Sequence, residues 1–213
     1  MTHRPHLVLA SASPARRKTL AAAGIATEVI VSGVDESTVD MTDPADFCLT
    51  LARMKAAAVA DRLRDAGPVR PDTTVLVLGC DSILAFDGQI LGKPADREEA
   101  VARWRAMRGR SGLLFTGHSL IRLNDDRRAD AAVSAVVHFA DITDAEIEAY
   151  VNTGEPLQVA GAFTIDGLGG PFVESIEGDP GTVVGVSLPL LRRLLGNLDI
   201  PITELWEPGP TDS

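Results

Sequence analysis

Leu7–Val8–Leu9–Ala10 is a continuous apolar run that passes without a spacer into Ser11–Ala12–Ser13–Pro14. A short apolar run without alternation fits a buried strand. Ser13 and Pro14 are the cap and first-turn residues of a helix. A buried strand that feeds directly into a helix is the opening of an α/β fold, and it limits what the rest of the chain can build. The helix is predicted through Arg17, Leu20 and Ala23, with Gly24 as its stop. Thr27 to Val31 is β-branched and reads as a second strand.

The same alternation continues. Asp43–Pro44 opens a long helix through Phe47, Leu51, Met54, Ala58 and Leu63, and Gly67 to Asp72 reads as a loop. Thr74 to Leu78 is an apolar strand that ends at Gly79–Cys80–Asp81. Ile83 to Phe86 and Gln89 to Leu91 flank Asp87–Gly88, a strong hairpin signal. Asp96 with Glu99, and Thr143 with Glu146, make capping-box patterns for two further helices, the second stopping before Gly154. Leu113 to Leu123 and Ala131 to Phe139 read as long strands joined over Asn124–Asp125–Asp126. Pro171 to Ile176 reads as a short strand and Leu188 to Leu195 as a closing helix. Alternating elements followed by adjacent strands predict a mixed sheet within one α/β domain over 1–205, followed by a flexible tail over 206–213.

Charge narrows the partners. The net charge is −10 with a pI near 4.8, which argues against a general nucleic-acid coat. Polyphosphate remains possible if a few cations converge on one pocket. Cys48 and Cys80 form no CxxC pair and read as reduced, buried thiols. No apolar stretch is long enough to cross a bilayer, and the polar start has too short an apolar run for a signal segment. The expectation is a soluble, cytoplasmic protein without membrane or nucleic-acid partners.

Five stretches can carry chemistry. The turn Ser11–Ala12–Ser13–Pro14–Ala15–Arg16–Arg17 offers helix N–H groups, hydroxyls and guanidiniums to an anion; taken alone it better fits an ordinary cap with solvated arginines. Gly79–Cys80–Asp81–Ser82 sits at a strand end, where α/β proteins place ligand crevices, although turns also begin with Asp. Lys93 is pinned between Gly92 and Pro94. Glu36 follows the second strand, and Lys55 faces inward on an apolar helical stripe, an odd place unless it pairs, meets an anion or snorkels to solvent. The Gly-rich connection from Gly154–Glu155–Pro156 to Gly169–Gly170 is long enough to wrap a ligand. Neither GxxxxGK[ST] nor GxGxxG is present. Trp104 and Met107 read as core, and the four histidines suggest no metal site.

In this order the stretches LASASPARRKTL, VDES, LARMKA, LGCDSI, DGQILGKP, FTGHSL, GEPLQVAGAF, IDGLGGPFVESIEGD and VVGVSLPLL resemble the Maf family of nucleotide pyrophosphatases. The resemblance implies two α/β lobes around an extended mixed sheet flanked by helices, with the site in the central cleft. It implies a catalytic set of Asp81, Lys93 and Lys55. It further implies phosphate binding by Ser11, Ser13, Arg16 and Arg17, and a divalent cation, Mg²⁺ or Mn²⁺, on Asp81 and Glu36. Base choice would fall on Ala15, Ser82 and Asp166. Ala15 replaces an Arg common at its position, and Cys80–Asp81–Ser82 replaces Ala-Asp-Thr. Pyrimidine-preferring members carry Gln where Asp166 stands, and the methylated-guanine branch carries a carboxylate. The implied reaction is cleavage of a nucleoside triphosphate between its α- and β-phosphates, by a protein that in many members is a homodimer. Competing readings are a non-enzymatic nucleotide-binding regulator of septum formation and a purine-preferring pyrophosphatase of the inosine-triphosphate type.

Overall fold

The computed structural model describes residues 4–39, 42–68 and 72–207. Seven strands form one mixed sheet in the order β2-β1-β3-β5-β6-β7, with β4 paired to β3. The strands are β1 (His6–Leu9), β2 (Thr27–Val29), β3 (Val75–Phe86), β4 (Gln89–Leu91), β5 (Ser111–Arg122), β6 (Arg127–Phe139) and β7 (Val173–Glu177). β1 runs parallel to both β2 and β3, whereas every other pairing is antiparallel. The helices are α1 (Pro14–Ala22), α2 (Pro44–Asp65), α3 (Arg97–Met107), α4 (Asp144–Asn152), α5 (Pro180–Val184) and α6 (Leu188–Asn197). The mixed α/β sheet read from the sequence is therefore the observed one.

Local chemistry sets most boundaries. Ser13 Oγ accepts the Arg16 N–H at the start of α1, and Asp43 caps α2 through the Asp46 N–H. Thr143 and Glu146 complete a reciprocal box on α4. The box expected at α3 is half formed: Asp96 accepts the Glu99 N–H, but the Glu99 carboxylate takes the Ala95 N–H instead. Asp87 (φ 49°) and Gly88 (φ 74°) are both left-handed in the β3–β4 hairpin, as a two-residue turn that follows strand twist requires.

The main correction concerns β3. The sequence suggests two strands interrupted at Gly79–Ser82, yet one twelve-residue strand runs through Asp81. Gly and Asp are poor strand formers in isolation, but β5 supplies an unbroken antiparallel partner from Leu76 to Ala85. Asp81 thus lies within a strand, three residues beyond the last β1–β3 pair, Leu9 with Leu78. β2 and β7 are offset or shortened relative to the sequence reading, while β5 and β6 are longer. α5 has no counterpart in it. Trp206 and Glu207, assigned to the tail, are held by a bridge to Ile25 and a bond to the Gly24 carbonyl. Residues 208–213, and 69–71 of the expected loop, lie outside the described residues.

Three buried clusters organise the core. On one face of the sheet, α2 covers Val8, Val77 and Ile121. On the other, α6 and α1 cover Leu9, Leu78 and Leu120. Farther along the same strands, α3 and α4 close over Leu84, Leu114 and Val137. In this last cluster Trp104 packs edge-on against Phe139 and Tyr150 at 5.7 and 5.6 Å and donates to the Ala162 carbonyl. Two packed bodies therefore share the long strands, and a cleft opens between them.

His118, buried in β5, ties the sheet to α6. Its Nε2 accepts the Ser187 N–H at 2.9 Å, so Nδ1 carries the proton, 3.2 Å from the Thr116 carbonyl. Burial, and then nearby Arg16, push its pKa down to about 4. The unfolded chain binds this proton more readily, so the stability contribution is complete above about pH 6.5 and drains away as pH falls toward 4. Stability measured by urea unfolding should therefore show the gap between wild type and His118→Gln shrinking by up to about 3 kcal/mol between pH 7 and pH 4. A gap that does not change with pH would contradict this assignment.

Candidate functional site

The cleft has a volume of about 950 Å³ and is lined from both bodies, within the range of small-molecule sites. The residues lining it include Ser11, Ser13, Ala15, Arg16, Glu36, Lys55, Asp81, Ser82, Lys93 and Asp166. The fold thus gathers all the expected site residues but one: Arg17 is exposed on α1 and is not part of the lining. A helix turns by about 100° per residue, so Arg16 and Arg17 cannot face the same way.

Lys55 is the centre of the charged end. Its Nζ lies 2.5 Å from Asp81 Oδ1 and 2.7 Å from Glu36 Oε1. The lysine and aspartate are 8% and 7% exposed, so solvent screens their attraction little. Glu36 stands at the mouth on a short 3₁₀ turn capped by Asp35, and Arg62 fastens the preceding segment through the Val31 and Ser32 carbonyls. Burial raises the Asp81 pKa above the ordinary carboxylate value, while Lys55 and Arg16 pull against that rise. Lys55 does not snorkel to solvent.

Helix α2 can bring Lys55 this close only because the sheet beneath it lacks side chains at two positions. A Cβ on Gly79 would stand 2.2 Å from the Ala52 carbonyl oxygen, and one on Gly117 would stand 2.4 Å from that of Cys48. Gly117 is the cross-strand neighbour of Asp81. Helix backbone therefore rests on sheet backbone on both sides of the catalytic candidate.

Ser82 points to the opposite face of β3 and enters a separate network. Arg16 donates to the Gly185 carbonyl, Ser11 Oγ, the Cys80 carbonyl and Ser82 Oγ, at 2.8 to 3.0 Å. Thr116 donates to the Thr182 carbonyl, so the 2.8 Å Ser82–Thr116 contact must carry the Ser82 proton. Four of the five Arg16 N–H donors thus go to the protein. The sequence suggested a guanidinium fork free for phosphate; the structure instead makes Arg16 a hub that orients Ser11 and Ser82. Ser11 Oγ also accepts the Ser13 N–H, which leaves its own proton to donate.

Lys93 is exposed on a loop whose Gly92 carbonyl accepts from Arg103 and from the Gly161 N–H. Cys80 lies in the core with its pKa pushed up to about 11, and Cys48 to about 12, chiefly by burial. Neither is a reactive thiolate at neutral pH. Sequence reasoning missed Thr116 as the partner of Ser82, Thr182 as the partner of Thr116, and Gly185 as a partner of Arg16. No local pattern signals bonds between residues 34 to 169 positions apart.

The family model described as Maf-like protein matches residues 6–198. The chain belongs to the Maf-like family. A Salinispora tropica protein named nucleoside triphosphate pyrophosphatase is 65% identical over 95% of this chain and 88% of its own length. Proteins of the same name from Streptomyces coelicolor and Synechococcus elongatus are 55% and 50% identical, covering 98% and 95% of this chain and 99% and 98% of their own lengths. Among the described residues no helix is long and apolar enough to cross a membrane.

Replacing Lys55 tests the electrostatics of this Maf-like site. In Lys55→Met, Asp81 loses the larger of the two positive charges that pull its pKa down, and its pKa rises further. An acid whose folded-state pKa is raised favours the folded state at low pH, and that advantage is lost as pH rises. Urea unfolding should therefore show a loss of roughly 3–5 kcal/mol at pH 8 that shrinks as the pH is lowered toward 5. A pH profile parallel to that of wild type would refute the coupling.

Proposed function

We propose that this Maf-like protein hydrolyses nucleoside triphosphates between the α- and β-phosphates, releasing pyrophosphate and the nucleoside monophosphate. The observation that carries the reading is the convergence of Lys55, Asp81 and Glu36 with the Ser11–Arg16 turn on one cleft. The names of the relatives at 50–65% identity agree with it.

Asp81 is the candidate base. Burial makes it a stronger base than a solvated carboxylate, which favours proton removal from an attacking water. Lys55 holds that carboxylate in place and places a positive charge where phosphate oxygens gather negative charge. Ser11 donates its proton into the cleft, and Ser13 and the amides at the start of α1 present an anion site. Lys93 reaches the same space from the opposite body as a point charge. Asp166 and Ala15 are the candidate contacts to the base, and Ser82 is held behind the phosphate turn by Arg16. An ionised Asp166 accepts only, which suits a base edge that presents donors, as guanine does.

Asp81 and Glu36 suit a hard divalent cation such as Mg²⁺ or Mn²⁺, because two carboxylates already converge on one positive charge. No group of three or more His, Cys, Asp or Glu side chains among the described residues could hold a metal by itself, so phosphate oxygens would complete the coordination. When bound, such a cation would neutralise phosphate charge and acidify a water.

The test is pyrophosphate release with Mg²⁺ and then Mn²⁺ across ordinary and modified nucleoside triphosphates. Asp81→Asn should lower kcat by about 10²–10⁴-fold while keeping a cooperative unfolding transition. Tight nucleotide binding without turnover by either metal form would favour the binding-only regulator, and near-wild-type turnover by Asp81→Asn would remove Asp81 as the base.

A further inference from the structure

The connection between α4 and β7 is organised around a single carboxylate. Glu155 Oε1 accepts from Tyr150 Oη at 2.9 Å, Thr164 Oγ1 at 2.6 Å and the Gly169 N–H at 3.0 Å, and Oε2 accepts the Leu168 N–H at 3.0 Å. These bonds draw the segment from Thr164 to Gly169 into a closed loop around the carboxylate. Tyr150 also receives the Thr164 N–H and is locked into the aromatic cluster by Trp104 and Phe172. The loop is therefore bonded, through Glu155 and Tyr150, to the packed core of the second body.

The closeness of the wrap is visible in its glycines. A Cβ on Gly167 would stand 2.4 Å from Glu155 Oε2, and one on Gly169 would stand 2.3 Å from the Tyr150 hydroxyl. Burial would push the Glu155 carboxyl up, but the four donated bonds outweigh it and hold the pKa below the ordinary value, so the group stays ionised. Thr164, Ile165 and Asp166, the near side of this loop, line the cleft. Asp166 is exposed, and among the described residues no side chain bonds to it. Its position therefore depends on the loop's own frame.

We infer that Glu155 is a positioning residue for nucleobase recognition, fixing the 164–169 loop so that Asp166 is presented to the base. The inference rests on the reading of Asp166 as a base contact. A carboxylate that accepts four bonds cannot be replaced without loss by an amide, because one oxygen becomes a donor facing the Leu168 N–H. Loss of one charge-assisted bond is enough to shift a loop population roughly tenfold. The fault should appear where the loop meets ligand, in KM and in the preference among bases, more than in the step at Asp81.

The experiment is a double-mutant cycle of Glu155→Gln and Asp166→Ala, read as kcat and KM for UTP, dTTP, GTP and 7-methyl-GTP, with thermal unfolding of each variant recorded alongside. Glu155→Gln should raise KM more than it lowers kcat and reduce the ratio of kcat/KM between the best and worst nucleotide by roughly tenfold. In the Asp166→Ala background it should reduce that ratio no further. Thr164→Val, which removes one of the four donors, should shift the ratio in the same direction by less. If Asp166→Ala alters the ratio and Glu155→Gln only lowers all rates in proportion, Glu155 is merely structural and the inference falls. If Glu155→Gln reduces the ratio equally in both backgrounds, it acts by a route other than Asp166 and the inference also falls. An unaltered ratio in Asp166→Ala instead overturns the assignment of Asp166 to the base, and with it the inference.

Discussion

The site depends on how closely helix α2 approaches the sheet. Backbone rests on backbone at Gly79 and Gly117, where any Cβ would overlap a helix carbonyl. Lys55 follows Ala52 on the same helix, and Asp81 follows Gly79 on the same strand face. The separation between ammonium and carboxylate is thus set by helix–sheet packing and not by the reach of a flexible side chain. A pair placed this way is pre-organised, which matters because a buried charge pair yields its attraction only when its geometry is held. The flanking alanines of α2, Ala52, Ala56 and Ala60, are fully buried and small enough to allow the same approach along the helix.

β3 serves two networks because successive residues of a strand face opposite ways. Asp81 meets Lys55, which also holds Glu36, on the α2 side, and Ser82 meets Arg16 and Thr116 on the other. β1 stops at Leu9, so β3 has no parallel neighbour beside Asp81, and the chain leaving β1 becomes the turn that carries Ser11 and Ser13. Arg16 then joins that turn to β3 and to Gly185, whose lack of a side chain leaves room for the guanidinium, since a Cβ there would stand 2.9 Å from Arg16 Nε. The Ser11–Pro14 turn, the strand and the segment before α6 are therefore fixed by one buried cation. A buried arginine satisfied by four bonds to neutral oxygen atoms is a rigid element and keeps a positive field behind the turn.

The second body supplies the other wall. In it Arg103 and the Gly161 N–H hold the Gly92 carbonyl, Trp104 holds the Ala162 carbonyl, and Glu155 closes the loop that bears Asp166. A surface loop keeps one position only when something rigid holds it, and here an ionised carboxylate and a buried tyrosine do so.

Much of the fold was legible in the sequence because its signals are local. Ser13–Pro14, Asp43–Pro44, Thr143 with Glu146, and Asp87–Gly88 each act within a few residues through capping or turn conformation, and each marks a boundary that is present in the structure. The convergence of Ser11, Glu36, Lys55, Asp81, Lys93 and Asp166 came from motif order along the whole chain, and the shared cleft accords with it. What the sequence could not contain was the continuity of β3 through Gly79 and Asp81, since intrinsic preference opposes it and only the long partner strand β5 overrides that preference. Nor could it show that Arg16 is consumed by internal partners while Arg17 faces away, that Lys55 is paired and not solvated, or that Glu155 closes the loop. Each depends on atoms brought together from distant segments, and the energies that decide them, desolvation and hydrogen-bond satisfaction, exist only once the chain is packed.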